Sequence, residues 1–321
     1  MSSKTIEITA TAREIVEGLK APRKYISSKF FYDAEGSRIF QEIMEMPEYY
    51  LTDCEAEIFD THKQKIGSMF CNGCCTVDLV ELGAGDGMKT RILISELLDR
   101  RVQFRYIPVD ISEEAVVQLA GAMKQQFPDL SLEPRIGDYF HMIEDLSKVC
   151  PNRKVVMFLG SNLGNYNYQE SLGFLGKLNS AMSEDDLLFI GLDLKKDPGV
   201  IRNAYNDPHG HTRDFNLNLL HRMNREFGAD FDTTEFLHSP VYDPATGTAR
   251  SYLVSTKDQE VNFSGLEETI QFRKWEPIFT EMSQKYDLKM IADLAGSSGF
   301  QVVSHFFDDR EYFVNSLWKK M

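Results

Sequence analysis

Three alternate glycines, Gly83, Gly85 and Gly87, follow an apolar run and are accompanied by two acids, Glu81 and Asp86. Glycine lets a backbone turn with positive φ and lets a ligand approach without meeting a Cβ atom. The spacing G-x-G-x-G differs from the G-x-G-x-x-G that holds a pyrophosphate at a helix N-terminus, and the two acids would repel a pyrophosphate but attract a cation. The pattern indicates a nucleoside-bearing cofactor with a positive charge, with a glycine-rich structural turn as the alternative.

Further polar residues follow two later apolar segments. Asp110 stands a little over twenty residues beyond the last glycine, where a doubly wound fold places the carboxylate that binds ribose hydroxyls. Asp138 and Tyr139 follow the segment 132–136, and we expect the acid to accept from an adenine amino group and the ring to pack on the base. Each acid alone could instead be a helix cap or turn residue.

The elements that must position these residues read as alternating strands and helices. Strands are expected at 76–80, 104–109, 132–136, 154–159 and 187–194, with helices at 89–98 and 170–181. The polar loop Gly160–Asn165 follows the fourth strand, and 301–307 with 312–318 forms an antiparallel hairpin. This order predicts an α/β fold with a Rossmann-type sheet, whose carboxyl-end sites converge on one crevice.

Composition narrows the class of partner. The chain has 321 residues, 42% of them hydrophobic, and a net charge of −14, so a nucleic-acid surface is not expected and a small-molecule substrate is favoured. It has no apolar run of membrane-spanning length and a polar start, which predicts a cytoplasmic protein without membrane attachment. The pattern leaves the oligomeric state open, with a monomer slightly favoured.

Cysteine and histidine clusters raise the question of a metal. Five cysteines in a long chain fit reduced thiols better than a disulfide framework. The segments 71–75 (Cys-Asn-Gly-Cys-Cys) and 209–211 (His-Gly-His) have no second pair at the spacing of a zinc site. No metal is expected.

The chain contains segments beyond those that a Rossmann core requires, and these segments predict its domain organisation. We predict a core at 61–194 that is completed by C-terminal strands at 287–321. The N-terminal segment 1–60, mainly helical, and an insertion at 195–286, helical first and then strand-rich, are expected to form one α+β substrate domain that covers the cofactor crevice.

The glycine segment resembles motif I of the S-adenosylmethionine-dependent methyltransferases, and the tail resembles the reversed last strand of their sheet. Residues 20 to 321 as a whole resemble the L-histidine Nα-methyltransferases of ergothioneine biosynthesis, which trimethylate free histidine to hercynine. The motifs that carry this resemblance, in family order and spacing, are Phe31-Tyr32-Asp33 with Gly36-Ser37, Pro47-Glu48-Tyr49-Tyr50, Glu81-Leu82-Gly83, Phe158-Leu159-Gly160-Ser161 with Gly164-Asn165, and Thr280-Glu281-Met282-Ser283.

The resemblance implies a set of site residues. Around S-adenosylmethionine, together with Glu81 and Gly83 of the glycine segment, it implies Gly85, Lys89, Asp110, Asp138 and Tyr139, the last being phenylalanine in many relatives. Around the amino acid it implies Tyr32, Tyr49, Gly160, Asn165 and Tyr205, which would hold the amine and carboxylate or close the pocket, and Glu281 and Ser283 at the imidazole. A carboxylate and a hydroxyl can satisfy both ring nitrogens of histidine. Tyr49 and Tyr205 could instead be packing residues.

One position departs from the resemblance. Ser251 stands where the histidine enzymes have a methionine against the imidazole, so another aromatic or modified amino acid remains an alternative substrate. The expected chemistry is in-line methyl transfer to a neutral amine, which needs alignment more than a strong base. Tyr32 and Asn165 are the residues expected to present that amine. A non-catalytic sensor of the cofactor or amino acid, and a methyltransferase acting on protein side chains, are the competing classes.

Overall fold

The computed structural model describes residues 3–71, 76–137, 139, 142–143 and 152–321. The chain divides into two compact units, each made of two separate stretches. The first unit comprises Met1–Tyr50 and Lys196–Ser283, and the second comprises Leu51–Lys195 and Gln284–Met321.

The described elements are numbered in chain order. The helices are α1 (Ser3–Lys20), α2 (Ala34–Met44), α3 (Leu51–Cys71), α4 (Met88–Asp99), α5 (Glu113–Gln126), α6 (Tyr168–Ala181), α7 (Pro198–Ala204), α8 (His211–Phe227) and α9 (Leu288–Ser297). The strands are β1 (Thr76–Leu82), β2 (Gln103–Asp110), β3 (Ser131–Leu132), β4 (Arg135–Ile136), β5 (Arg153–Phe158), β6 (Leu187–Asp193), β7 (Phe236–His238), β8 (Val241–Asp243), β9 (Thr248–Ser255), β10 (Gln259–Phe263), β11 (Glu268–Phe272), β12 (Pro277–Gln284), β13 (Phe300–Phe307) and β14 (Phe313–Lys320).

An eight-stranded sheet forms the centre of the second unit. Its order is β13-β14-β6-β5-β1-β2-β3, and β4 also pairs with β2. Strands β2, β1, β5 and β6 run parallel, whereas β14 is antiparallel to both of its neighbours, β6 and β13. The predicted Rossmann-like sheet with a reversed last strand is therefore confirmed. All seven residues of β6 are buried, as expected for a strand inside a sheet that is covered on both faces.

The third predicted strand differs in detail from the structure. The segment 132–136 is divided into β3 and β4, with Glu133 and Pro134 between them. Proline has no N–H to donate to a strand ladder, so continuous pairing stops at Pro134. Glu133 still donates its backbone N–H to the carbonyl of Tyr106 on β2, at 2.9 Å.

Side-chain caps explain where several helices of the second unit begin. The Ser112 hydroxyl accepts from the backbone N–H of Ala115 at the start of α5, and Asn167 forms a reciprocal capping box with Glu170 at the start of α6. The Asp287 side chain accepts from the backbone N–H of Met290 at the start of α9. In the part of the chain that the structure describes, no helix is long and apolar enough to cross a membrane.

The first unit combines helices with small antiparallel sheets. Strands β12, β9 and β7 lie side by side with β8 paired to β9, and β10 and β11 form a separate hairpin. Strands β8 and β9 are joined by a turn around Thr246 and Gly247, in which the Gly247 N–H donates to the carbonyl of Asp243. Its core brings together apolar residues of α1, α2, α8 and these strands, among them Ile15, Ile39, Leu219, Leu253, Phe263 and Ile278.

Candidate active site

The glycine loop lies between β1 and α4 in the second unit. Gly83, Gly85 and Gly87 all have positive φ, at 73°, 54° and 64°. A Cβ atom on Gly87 would lie 2.5 Å from Leu119 Cδ1, whereas one on Gly85 would have no protein atom within 4 Å. Gly87 is therefore required by packing, and the space beside Gly85 fits a cofactor that passes close to the backbone.

Asp110 ends β2 next to this loop. Its Oδ2 accepts from the backbone N–H of Gly85 at 3.2 Å, and its Oδ1 accepts from that of Ser112 at 3.0 Å. The carboxylate is held by backbone donors and remains half-buried at the carboxyl end of the strand. This is the position from which a carboxylate reaches ribose hydroxyls in doubly wound folds, so the residue fits the predicted cofactor.

Glu81 has a different environment from the one its sequence position suggested. Only 3% of it is exposed, and its two oxygens accept from the Tyr106 hydroxyl at 2.5 Å and the Thr90 hydroxyl at 2.8 Å. Burial raises the pKa of Glu81 to about 7, against the hydrogen bonds from Tyr106 and Thr90, which lower it. The side chain joins β1, β2 and α4 beneath the loop, and its contact with the cofactor stays a prediction.

Tyr139 lies over the first glycine. Its hydroxyl would be 2.5 Å from a Cβ on Gly83, and its ring packs edge-on against Phe158 with centroids 5.5 Å apart. The structure thus brings Tyr139 to the glycine loop. Asp138, its neighbour in the predicted adenine site, lies outside the described residues.

Lys89 and Gly160 meet at a carboxylate that the sequence interpretation missed. Glu55 on α3 accepts from Lys89 Nζ and from the backbone N–H of Gly160, the latter at 2.9 Å. Glu55 is 0% exposed. Helical spacing indicates only its burial: Glu55 lies four residues after Leu51 and three before Ile58, on the buried face of a helix.

The loop after β5 is fixed by buried polar contacts. Gly160 and Ser161 have φ of 69° and 58°, and the short helical turn Asn162–Asn165 follows. The Ser161 hydroxyl accepts from the backbone N–H of Asp193 at 3.1 Å. Asp193 in turn pairs with Lys285 at 2.7 Å, and both side chains are fully buried. Asn165 is half-buried at the end of this loop, and its contact with the amino acid stays a prediction.

Two of the predicted tyrosines of the first unit share one aromatic cluster. Tyr32 and Tyr49 both pack edge-on against Phe40, with centroid distances of 5.7 and 6.1 Å. Tyr32 is 44% exposed, whereas Tyr205, at the end of α7, is 8% exposed. The roles of Tyr32, Tyr49 and Tyr205 at the amino acid stay predictions, as does the packing alternative for Tyr49 and Tyr205.

Strands β9 and β12 carry the residues predicted for the imidazole. Successive side chains of a strand point to opposite faces, so Glu281 and Ser283 share one side of β12 and Thr280 faces the other. Thr280 donates to Asn216 and lies 3.0 Å from the Ser251 carbonyl. Ser251 is 1% exposed on the side of β9 that carries the core residue Leu253, and its hydroxyl has no hydrogen-bond partner among the described residues. Contact between Ser251 and an imidazole stays a prediction.

Metal binding finds no support in the described ranges. No group of three or more His, Cys, Asp or Glu side chains there could hold a metal ion. Of the cysteine segment 71–75, Cys71 is described and Cys74 and Cys75 lie outside the described residues.

A parallel sheet with a reversed last strand and a glycine loop that meets an acid on the next strand define a Rossmann-like, S-adenosylmethionine-dependent methyltransferase. The chain belongs to the family of histidine-specific, S-adenosylmethionine-dependent methyltransferases, whose model matches residues 11–320. The resemblance that the motifs indicated is confirmed, and so is the prediction of an enzyme that uses S-adenosylmethionine.

Relatives of known name agree with this family. The chain is 32% identical to histidine N-alpha-methyltransferase of Mycobacterium tuberculosis, over 97% of this chain and 95% of that protein. It is 34% identical to the protein of the same name from Mycolicibacterium smegmatis, over 89% and 88%. It is also 25% identical to ergothioneine biosynthesis protein 1 of Schizosaccharomyces pombe, over 94% of this chain and 39% of that longer protein.

Proposed function

We propose that this enzyme transfers methyl groups from S-adenosylmethionine to the α-amino group of free L-histidine and forms hercynine for ergothioneine biosynthesis. The observation that carries the proposal is the match of a histidine-specific methyltransferase family over residues 11–320. Two relatives named as histidine N-alpha-methyltransferases, aligned over most of both chains, support the α-amino group as the acceptor. We also propose that the enzyme acts in the cytoplasm.

The second unit is proposed to bind the cofactor. Gly83, Gly85 and Tyr139 would line the nucleoside, Asp110 would accept from the ribose hydroxyls, and Lys89 would pair with the carboxylate of the cofactor's amino-acid part. Glu81 is assigned to this site through its place beneath the loop, and Asp138 through the resemblance. S-adenosylmethionine supplies an electrophilic methyl group, and S-adenosylhomocysteine remains after transfer.

The residues proposed to hold the amino acid are those that the resemblance implies. Gly160, Asn165, Tyr32, Tyr49 and Tyr205 are assigned to its amine and carboxylate. Hydroxyl and amide groups can hold a neutral amine with its lone pair directed, and such orientation supplies up to about 7–11 kcal/mol of the lowering of the barrier. Glu281 and Ser283 are assigned to the imidazole. A neutral imidazole has one N–H, which needs an acceptor such as a carboxylate, and one acceptor nitrogen, which needs a donor such as a hydroxyl.

A second candidate substrate follows from Ser251. Its buried hydroxyl has no partner among the described residues, and a buried hydroxyl without a partner costs about 1–3 kcal/mol. A polar group on a different aromatic or modified amino acid could supply that partner, whereas the methionine of the histidine enzymes would need none. Histidine remains the first choice because Glu281 and Ser283 are both present.

The test is turnover across amino acids. Purified enzyme is incubated with S-adenosylmethionine and each of the twenty proteinogenic amino acids, release of S-adenosylhomocysteine is measured, and the product is analysed by mass spectrometry. We expect turnover with histidine and a product that carries three added methyl groups. Turnover with tryptophan or tyrosine but not histidine would replace the substrate, and cofactor binding without turnover on any amino acid would favour a sensor.

A further inference from the structure

We propose that Glu55, a buried carboxylate on α3, is a positioning residue for methyl transfer, because it fixes Lys89 and the backbone of Gly160 at one point. The inference rests on the proposed function, in which Lys89 holds the cofactor's carboxylate and Gly160 contacts the amino acid. Glu55 is fully buried, so its proposed action runs through Lys89 and Gly160.

Both oxygens of Glu55 are engaged inside the second unit. Its Oε2 accepts from Lys89 Nζ and from the backbone N–H of Gly160, and its Oε1 accepts from Asn315 Nδ2 at 2.8 Å. These donors come from three separate elements: the first turn of α4, the loop after β5, and β14. One carboxylate thus sets the spacing between α4 and the loop after β5.

The fold leaves room for this carboxylate at a specific place. A Cβ atom on Gly191 of β6 would lie 2.2 Å from Glu55 Oε1, closer than any real contact allows. The glycine at this point of a fully buried strand is therefore matched to the carboxylate from α3. Asn315, which donates to the same oxygen, is 0% exposed and belongs to the neighbouring strand β14.

Charge explains why the arrangement serves binding. Glu55 is 0% exposed but the Lys89 side chain is 21% exposed, so the anion is enclosed while the lysine side chain remains partly accessible. An ammonium group has three N–H donors, and Glu55 takes one of them. A long lysine side chain loses conformational entropy when it is held in one orientation. Because Glu55 already restricts Lys89, less entropy is lost when the cofactor binds. The pair then presents a preoriented donor to a ligand carboxylate.

Two nucleosides separate this role from general stability. S-adenosylhomocysteine carries the amino-acid part that Lys89 would hold, whereas 5′-methylthioadenosine has the same nucleoside and thioether without it. A loss of Lys89 placement weakens the first ligand and spares the second. A loss of fold would weaken both.

The chain offers a matched control in Asp186. This carboxylate is 1% exposed, pairs with Lys154 Nζ at 2.8 Å and accepts from a backbone N–H, as Glu55 does. Lys154 stands at the start of β5, whereas Gly160 follows its end, so Asp186 lies at the amino ends of the parallel strands, away from the loop after β5. Asp186→Asn therefore removes a similar buried charge away from the proposed site.

The experiment measures the dissociation constants of both nucleosides by calorimetry for the wild type, Glu55→Gln and Asp186→Asn, together with thermal unfolding. We expect Glu55→Gln to weaken S-adenosylhomocysteine by at least about 10-fold, the size associated with a charge-assisted hydrogen bond, and methylthioadenosine by less than about 2-fold. Asp186→Asn should lower the unfolding temperature and change neither constant. If Glu55→Gln does not fold, Glu55→Asp, which keeps the charge but retracts it, should show the same selectivity with a smaller loss.

Equal losses for the two nucleosides, or no loss, would overturn the role of Glu55. These measurements contain no amino-acid substrate, so a substrate other than histidine would leave them unchanged and would contradict only the proposed function. Absence of S-adenosylhomocysteine binding by the wild type would overturn both.

Discussion

At the scale of single residues, burial sets the charge of several side chains. His238 on β7 has a buried Nε2 without a hydrogen-bond partner among the described residues, and burial lowers its pKa to about 4. The nearby charge of Asp207 opposes this shift, and that of Arg213 adds to it. Glu81 shows the reverse effect for an acid, with a pKa that burial raises to about 7.

The first prediction concerns stability at low pH. Below its ordinary pKa of 6.5, His238 takes up a proton in the unfolded chain but stays neutral in the folded protein until about pH 4. The free energy of unfolding should therefore fall between about pH 6.5 and pH 4, by up to about 3 kcal/mol from this lowered pKa. Urea unfolding of the wild type and His238→Gln at pH 7, 5.5 and 4.5 measures the effect.

The difference between the two proteins is the relevant quantity. Glu81 contributes stability that is lost as pH rises towards 7, because its pKa is raised in the folded state. That contribution is present in both proteins and cancels in the difference. Identical pH slopes for the wild type and the variant would mean that His238 is protonated as readily in the folded protein as in the unfolded chain.

The second prediction concerns recognition of the substrate ring by Glu281. We expect Glu281→Gln to lower kcat/KM for histidine by roughly 10- to 100-fold, because the amide cannot replace a charged acceptor of the imidazole N–H. The affinity for S-adenosylhomocysteine should not change. Glu260→Gln, an exposed carboxylate on β10 of the same unit, is the control and should leave both quantities unaltered. Unchanged histidine kinetics in Glu281→Gln would remove Glu281 from the substrate site.

At the scale of elements, two of the three glycines in the loop between β1 and α4 have similar left-handed backbone conformations but different surroundings. Gly85 has φ of 54° and open space at its Cβ position, and Gly87 has φ of 64° and packs against Leu119 and Met123. Alanine at either place costs about 1–2 kcal/mol for the left-handed backbone. Only at Gly87 does the added methyl group meet protein atoms.

The third prediction uses this pair. Gly87→Ala should lose about 1–3 kcal/mol of unfolding free energy beyond the backbone cost, because it overpacks the side chains of α5. Gly85→Ala should retain more stability and instead weaken S-adenosylhomocysteine by about 10-fold or more, because its methyl group occupies the proposed ligand path. Thermal unfolding and calorimetry measure the two effects, and an unaltered ligand affinity in Gly85→Ala would contradict the path.

The elements also show what could be predicted from sequence. The glycine loop and Asp110 were predictable because a local pattern, strand then bend then acid, specifies them. The interruption at Pro134 was readable in principle, since proline cannot continue a ladder. Glu55 was not predicted, because its function depends on where α3 lies against β14 and the loop after β5. The unpartnered hydroxyl of Ser251 likewise depends on packing by residues far away in the chain.

At the scale of the whole molecule, the described residues include one core on the eight-stranded sheet and another, with separate residues, around α8 and the small strands. Each core is assembled from two distant stretches of sequence. The proposed cofactor residues belong to the second unit, whereas Glu281, Ser283 and Tyr205 belong to the first.

The fourth prediction follows from this division. S-adenosylhomocysteine alone should slow hydrogen exchange at 83–87 and 110–112 in the second unit, because a bound ligand stabilises the states that bind it. Added histidine should then slow exchange at 281–283 in the first unit. Hydrogen–deuterium exchange read by mass spectrometry checks both steps. Protection of 281–283 by the nucleoside alone, with no further effect of histidine, would contradict the assignment.

The position of β14 has a consequence for folding during synthesis. Strand β6 is completed at Asp193, yet its neighbour β14 begins only at Phe313. Until β14 is synthesised, the seven residues of β6, which are all buried in the folded protein, have unpaired backbone groups on one side. Such an edge can pair with a strand of another chain. We therefore expect aggregation during synthesis, rather than unfolding of the finished enzyme, to limit its yield in fast-growing cells, and slower synthesis at lower temperature to relieve it.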